Sequence, residues 1–192
     1  IDINLAYLDK LAHLSDGIAI IAGFADRNPT KDGRPVHNAA AFLENGKTAF
    51  VQHKTLLPNY DVFDEARYFQ PAKAQEIWTW RGLKLGISIC EDIWNDKDLW
   101  ERRLYEPDPV AALASKRAEI MINISASPYS LDKQALRKKL LGQAAQKHAC
   151  LLFYVNLVGG NDDLIFDGRS LCIGTDGQVL AEARAFKEDL VV

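Results

Sequence analysis

An apolar run with no polar interruption, IAIIAGF at residues 18–24, does most to narrow what this chain can fold into. Successive side chains of a strand point to opposite faces, so an unbroken apolar strand must be covered on both. LLFYVN at residues 151–156 reads as a buried strand, and EIMINIS at 119–125 as a further strand. Stretches with helical character separate such runs: VAALASKRA after Asp108-Pro109, and a long one over residues 130–148. Strands alternating with helices, with hairpins interspersed, predict an α/β layered domain with a mixed sheet.

Local signals fill in this outline. Leu5, Leu8, Leu11, Ala12 and Leu14 recur at helical spacing near the start, with Gly17 as terminator. HNAAAFLENGKTAFVQHK holds two strand-like runs about Asn45-Gly46. That dipeptide suits a two-residue hairpin because both central positions need positive φ. EIWTW and LKLGISI, joined at Arg81-Gly82, read as another hairpin, and RSLCIG and QVLAEARAF flank a turn at Asp176-Gly177. Asp108 is placed as an N-cap with Pro109 in the first helical turn. Ser130 is placed to cap the long helix, with Leu136, Leu140 and Ala144 on one face. The basic run LRKKLLGQAAQKH within that helix is expected to be a solvated face. Residues 55–75, TLLPNYDVFDEARYFQPAKAQ, show no clear period. A connection of that length in a compact domain is usually functional or disordered, and Tyr60, Phe63, Tyr68 and Phe69 argue against disorder. No repeat, low-complexity tract or linker interrupts the chain, so residues 1–192 read as a single domain.

Composition removes several classes of function. The net charge of −3 gives no electrostatic case for nucleic acid or an anionic membrane surface. No run approaches the length of a membrane-spanning helix, and IDINLAYLDKLAHL carries acids where a signal peptide carries bases. Three widely spaced cysteines make neither a disulfide framework nor a metal-site pattern, and none of the four histidines pairs at a metal-ligand spacing. A reducing cytoplasm is the expected location, with no metal.

Cys150 and Cys172 sit in apolar strand patterns and read as small core hydrophobes. Cys90 differs: in GISICEDIW it ends a strand and opens a polar turn. A catalytic thiol needs a nearby cation or base to lower a pKa that starts near 8.5. Glu91 and Asp92 would raise it if they faced the sulfur, so they are expected to point away into structural hydrogen bonds. The backbone N–H of Glu91 then suits a developing oxyanion. Lys54, at another strand end, is the cation this reading selects. His53 alternates to the opposite face of its strand and reads as structural, whereas Trp94 is close enough in sequence to line a pocket beside Cys90.

Four blocks, HKTLLPNYDVFDEARYFQP, GISICEDIW, NISASPY and YVNLVGGNDDLIFDGRS, resemble in content and order the nitrilase, or carbon–nitrogen hydrolase, superfamily. More narrowly they resemble its glutamine-hydrolysing branch, the glutaminase domain of glutamine-dependent NAD synthetases. The resemblance covers nearly the whole chain. It implies an α/β fold, a four-layer α-β-β-α sandwich of the nitrilase type with two mixed sheets, here truncated at both ends. It implies Cys90 as nucleophile, Lys54 as the lysine that stabilises the tetrahedral intermediate, and Glu65 as a second acidic residue orienting lysine or substrate. Tyr60 would wall the glutamine pocket, with Trp94 lining it, and Ser127 and Lys133 would hold the backbone groups of glutamine. Asn161 stands where glutamine is expected in a VGGQD pattern, a mild departure that keeps an amide.

The larger departure concerns the family's general base, a glutamate in a Pro-Glu motif upstream of these blocks. The only glutamate before Lys54 is Glu44, at the Asn45-Gly46 hairpin tip. The chain is therefore expected to be an internal piece of a longer protein, and to hydrolyse glutamine negligibly by itself. The whole protein would release ammonia from L-glutamine through a cysteine thioester. That ammonia would supply ATP-dependent NAD synthesis from nicotinic acid adenine dinucleotide. ATP and Mg²⁺ would belong to a synthetase domain of the same polypeptide, with no cofactor in this domain, and the assembly would be a homo-oligomer. Two other readings are a stand-alone nitrilase-type amidase acting on another small amide and a catalytically silent scaffold module.

Overall fold

The computed structural model describes residues 1–192, whose contacts cluster into two compact units, Ile1–Gln75 and Glu76–Val192. The first is built on a three-stranded antiparallel sheet of β1 (Ile20–Arg27), β2 (Val36–Glu44) and β3 (Lys47–His53), in that order. Its hairpin forms as the dipeptide predicts, with φ of 52° at Asn45 and 76° at Gly46. Helix α1 (Asp2–His13) lays Leu5, Leu8, Leu11 and Ala12 against Phe24, Ala39, Ala41 and Leu43. Leu14 does not join that face: it is the residue that ends the helix, and it is exposed. Ser15 fastens the helix end to the hairpin. Its Oγ donates to the Ala12 carbonyl at 2.6 Å and accepts the Gly46 N–H at 3.2 Å.

The run at residues 18–24 is not covered on both faces as expected. Only Phe24 is fully buried: α1 covers the face that carries Ile20, Ala22 and Phe24, while Ile21 and Gly23 on the other face are not fully buried. Coverage on both sides falls instead to the middle strand β2, buried throughout residues 39–43. The aperiodic segment after β3 contributes one short helix, α2 (Glu65–Tyr68).

The second unit carries a mixed six-stranded sheet. Its strands are β4 (Ile77–Trp80), β5 (Leu83–Ile89), β6 (Ile120–Ser125), β7 (Leu151–Asn156), β10 (Leu171–Ile173) and β11 (Val179–Glu182), in the order β11-β10-β7-β6-β5-β4. Strands β8 (Val158–Asn161) and β9 (Leu164–Asp167) form a separate ribbon. The central strands β5, β6 and β7 run parallel, with α3 (Pro109–Ser115) and α4 (Lys133–His148) in the crossovers. Asp108 caps α3 as predicted, its Oδ1 accepting the Ala111 N–H at 2.9 Å. A Cβ at Gly86 would lie 3.1–3.2 Å from Leu113 and Ala118, so glycine lets α3 seat closely on β5. Helix α4 buries Leu140, Leu141, Ala144 and Ala145 in a core with Met121, Leu152, Tyr154 and Ile173. Each buried leucine, isoleucine or methionine there contributes roughly 1.5–3 kcal/mol, and each alanine less.

Two expectations for α4 are corrected. Ser130 is not its cap: the N-cap is Asp132, in the left-handed region at φ 63° and without a side-chain cap bond. Ser130 offers only its carbonyl, 3.3 Å from the Lys133 N–H. Nor is the basic run wholly solvated, since Arg137 is 1% exposed and lies on the same stripe as Leu140, Leu141 and Ala144.

Candidate active site

In the first unit, Lys54 follows directly on β3, where its N–H donates to the Asn38 carbonyl at 2.8 Å and its carbonyl accepts the Ala72 N–H at 2.8 Å. The side chain is 1% exposed, and its Nζ donates to both carboxylate oxygens of Glu65, at 2.7 and 2.8 Å. A buried ammonium requires such a partner, because an unpaired charge costs far too much away from water. Glu65 opens α2, its N–H bonded to the Pro58 carbonyl at 3.0 Å. Asn38 Nδ2 adds a longer contact to Glu65 Oε2 at 3.4 Å. Tyr60 is exposed on the same segment, its ring edge-on to Phe63 at 5.9 Å. His53 is structural, as expected. Its Nε2 meets Asp26 Oδ2 at 2.8 Å, and its ring stacks on His37 at 3.9 Å.

In the second unit, the carboxyl ends of β5, β6 and β7 converge, the usual place for a site in an open α/β sheet. Cys90 follows β5 at φ 46°, a left-handed conformation that costs a residue with a Cβ roughly 1–2 kcal/mol. It opens a 3₁₀ turn over Cys90–Ile93. Asp92 holds this turn: it is 1% exposed, and its Oδ2 accepts the Ile89 N–H at 3.1 Å. Asn123 on β6 braces the turn from below, its Nδ2 donating to Ser88 Oγ at 2.9 Å and reaching the Cys90 carbonyl at 3.5 Å. Cys90 itself is partly exposed, whereas Glu91 is buried. Cys150 is fully buried, and burial pushes its thiol up to about 11, as suits an inert core residue.

Lys133 begins α4, and its Nζ lies over the Trp94 ring, 5.5 Å from the centroid. Burial, then the positive charge of Arg137, hold its pKa below the usual lysine range, while Cys90, Glu91 and Asp167 act in the opposite sense. Such a desolvated cation favours an anionic or carbonyl ligand. Ser127 is 2% exposed; its N–H donates to Asn156 Oδ1 at 2.9 Å, and its carbonyl accepts Arg137 Nη2 at 2.9 Å. Tyr154 lies beneath this group. Burial pushes its phenol up to about 12, so it stays a proton carrier rather than a base at neutral pH. Ser125 and Ser127 lie beside its hydroxyl, but neither meets bonding geometry.

The structure thus brings Lys54 and Glu65 together in one unit, and in the other sets Lys133 near Cys90, Glu91 and Trp94, with Ser127 tied to Asn156 and Arg137. Sequence reasoning missed Asn38, Asn123, Asn156, Asp167 and Arg137. Asn123 and Asn156 did carry a signal, the first a polar residue within the apolar run of β6 and the second the polar end of the apolar β7. No group of three His, Cys, Asp or Glu side chains converges as a metal site would. No helix is long and apolar enough to cross a membrane.

The sequence model of the family described as carbon-nitrogen hydrolase matches residues 3–192. The glutamine-dependent NAD(+) synthetase of a Synechocystis strain is 43% identical over 155 residues, covering 81% of this chain and 28% of that protein. The protein of the same name from Thermotoga maritima is 36% identical over 191 residues, covering 98% of this chain and 31% of its own length. The structure of glutamine-dependent NAD+ synthetase from Acinetobacter baumannii, solved in complex with ADP, superposes with a TM-score of 0.83 at 34% identity. That match covers 96% of this chain and 32% of the other. The chain therefore spans about a third of the length of the relatives it matches.

Proposed function

This chain belongs to the carbon–nitrogen hydrolase family, and from that premise we propose that it is the glutaminase part of a glutamine-dependent NAD synthetase. Its α/β architecture is of the nitrilase type. The observation that carries the proposal is the Cys90 turn: a thiol in a left-handed conformation at a strand end, braced by Asp92 and Asn123. Backbone strain of that kind concentrates at nucleophile turns, where it presents the attacking atom.

In this reading the Cys90 thiolate attacks the side-chain carboxamide carbon of L-glutamine. Lys54, oriented by Glu65, and the Glu91 N–H stabilise the oxyanion, and loss of one such donor costs about 10²–10³ in rate. The thiol proton goes to a general-base glutamate, which the family resemblance places upstream of Lys54. It passes from there to the nitrogen as the C–N bond breaks and ammonia leaves. Water then attacks the thioester, releasing glutamate and restoring the thiol. Ser127 and Lys133 hold the α-amino and α-carboxylate end of the substrate, with Tyr60 and Trp94 walling the pocket. The ammonia supplies an ATP- and Mg²⁺-dependent amidation in a synthetase domain of the same polypeptide. The residues of this chain do not fit a metal site, and no step of the hydrolysis is routed through either group.

The test is Cys90→Ala in the full-length protein. Ammonia release from glutamine should fall by at least about 10³ while synthesis driven by added ammonium salt persists. A thiol-directed glutamine analogue should label Cys90 in the unmodified protein and not in the variant. Glutamine hydrolysis that survives Cys90→Ala would sink the proposal.

A further inference from the structure

The buried arginine of α4 has a consequence for the site. Arg137 is among the largest fully buried side chains of the chain, and Asp167, its partner, is 0% exposed. Nη1 donates to both carboxylate oxygens, at 2.7 and 2.9 Å. Burying such a pair is poor value for stability, because apolar replacements of similar volume are often neutral or better. Its other bonds point to a different use. Nη2 donates to the Ser127 carbonyl at 2.9 Å and reaches that of Pro128 at 3.4 Å. On the other side, Asn156 Oδ1 accepts the Ser127 N–H at 2.9 Å, and Asn156 Nδ2 donates to the Gly168 carbonyl at 3.0 Å.

The segment between β6 and α4 has no ladder or helix to satisfy its backbone, so its position rests on these bonds together with that of the Tyr129 N–H to the Ile165 carbonyl at 2.7 Å. Arg137 also stands four residues after Lys133 on the same helix, so the two side chains leave neighbouring points of one face. A guanidinium can grip a carboxylate and two carbonyls at once because its donors form a planar fork; an ammonium cannot. One buried group therefore locates both Ser127 and Lys133.

We propose that the Arg137–Asp167 pair is a positioning device that sets affinity for the substrate's backbone end by fixing the Ser127 segment against the start of α4. It takes no part in the chemistry at Cys90. The proposal rests on the glutaminase reading above.

Three variants of the full-length protein test it: Arg137→Lys, Asp167→Asn, and the paired Arg137→Met/Asp167→Leu, which removes both charges together. Losing charge-assisted bonds of this kind should raise the KM for glutamine by about 10- to 100-fold. The kcat should stay within about threefold, as expected when only uniform binding is lost. Alkylation of Cys90 by iodoacetamide, which does not use the Ser127 segment, should keep its rate. If the single variants are too unstable to assay, the paired variant decides, because it strands neither member of the pair and leaves only the part-exposed Arg169, 3.9 Å from Asp167 Oδ2, without that carboxylate. A folded variant with unchanged KM, a kcat that falls with KM constant, or loss of fold in all three would overturn the proposal. Failure of the glutaminase reading looks different: the unmodified protein would not hydrolyse glutamine through Cys90 at all.

Discussion

Lys54 and Glu65 make one ion pair with unequal ends, and the inequality gives an ordering that can be measured. The lysine side chain is 1% exposed and the glutamate side chain 22%. Removing one partner of a buried pair costs mainly because the other charge is left without solvent or counter-ion. In Glu65→Gln the stranded charge is the ammonium, which water cannot reach. The amide oxygen keeps one of the bonds now at 2.7 and 2.8 Å, and the amide nitrogen turns a donor toward a donor. The expected loss is about 3 kcal/mol, the low end for a broken buried pair. In Lys54→Met the stem volume is retained, and the stranded carboxylate has both water and Asn38 Nδ2 at 3.4 Å. Its loss should be nearer 1–2 kcal/mol, closer to that of a partly solvated pair. A difference of about 1.4 kcal/mol is tenfold in the local opening equilibrium. Amide hydrogen exchange reads it directly at Lys54, whose N–H is bonded to the Asn38 carbonyl at 2.8 Å, and along the β2–β3 ladder. Both variants should exchange faster than the unmodified protein, with Glu65→Gln the faster by about tenfold. Equal rates, or a faster Lys54→Met, would show that solvent access does not govern the cost at this pair.

Cys150 predicts an alkaline limb in the stability profile. The folded thiol keeps its proton to about 11, against about 9 when unfolded, so the native state binds more protons between those values and stability falls as pH rises. The loss should reach about 2–3 kcal/mol by the upper end, and urea midpoints for Cys150→Ala should decline less steeply over the same range. Gly142→Ala sets helix propensity against packing: alanine favours a helix by about 1 kcal/mol, but its Cβ would lie 2.8 Å from the Gly177 carbonyl oxygen. Backbone cannot yield as a side chain can, so a net destabilisation of about 1–2 kcal/mol is expected, and a raised melting temperature would contradict it.

What was legible in the sequence was what local geometry dictates. Asn45-Gly46 and Arg81-Gly82 stand at hairpin turns with φ of 52° and 76°, and of 50° and 83°, because a two-residue loop admits little else. Cys90 stood out for a similar reason: a residue that ends one strand and opens a polar turn is placed by its neighbours. Strand coverage was not legible in the same way. The apolar content of residues 18–24 says that a strand would tolerate cover on both faces, and what packs on each face decides whether it receives it. Here β2 takes the central place, and its alanines let α1 approach on one side.

Arg137 shows where local reading stops. Its position was in plain view: residues 137, 140, 141, 144 and 145 form an i, i+3, i+4, i+7, i+8 stripe, and four of the five are apolar. The surrounding lysines made the run look like a solvated face, yet Lys138 and Lys147 do reach outward, to Glu182 and to Asp96 and Asp98. A cation on an apolar stripe must either be solvated at the stripe's edge or find a buried carboxylate, since an unpaired one is not tolerated inside. Helical phase therefore raises the question of a partner but cannot name one. Asp167 lies thirty residues later, on a ribbon strand outside the main sheet. Only the return of the chain past β7 brings it to α4, so the group on which the Ser127 segment depends is a product of topology rather than of any local pattern.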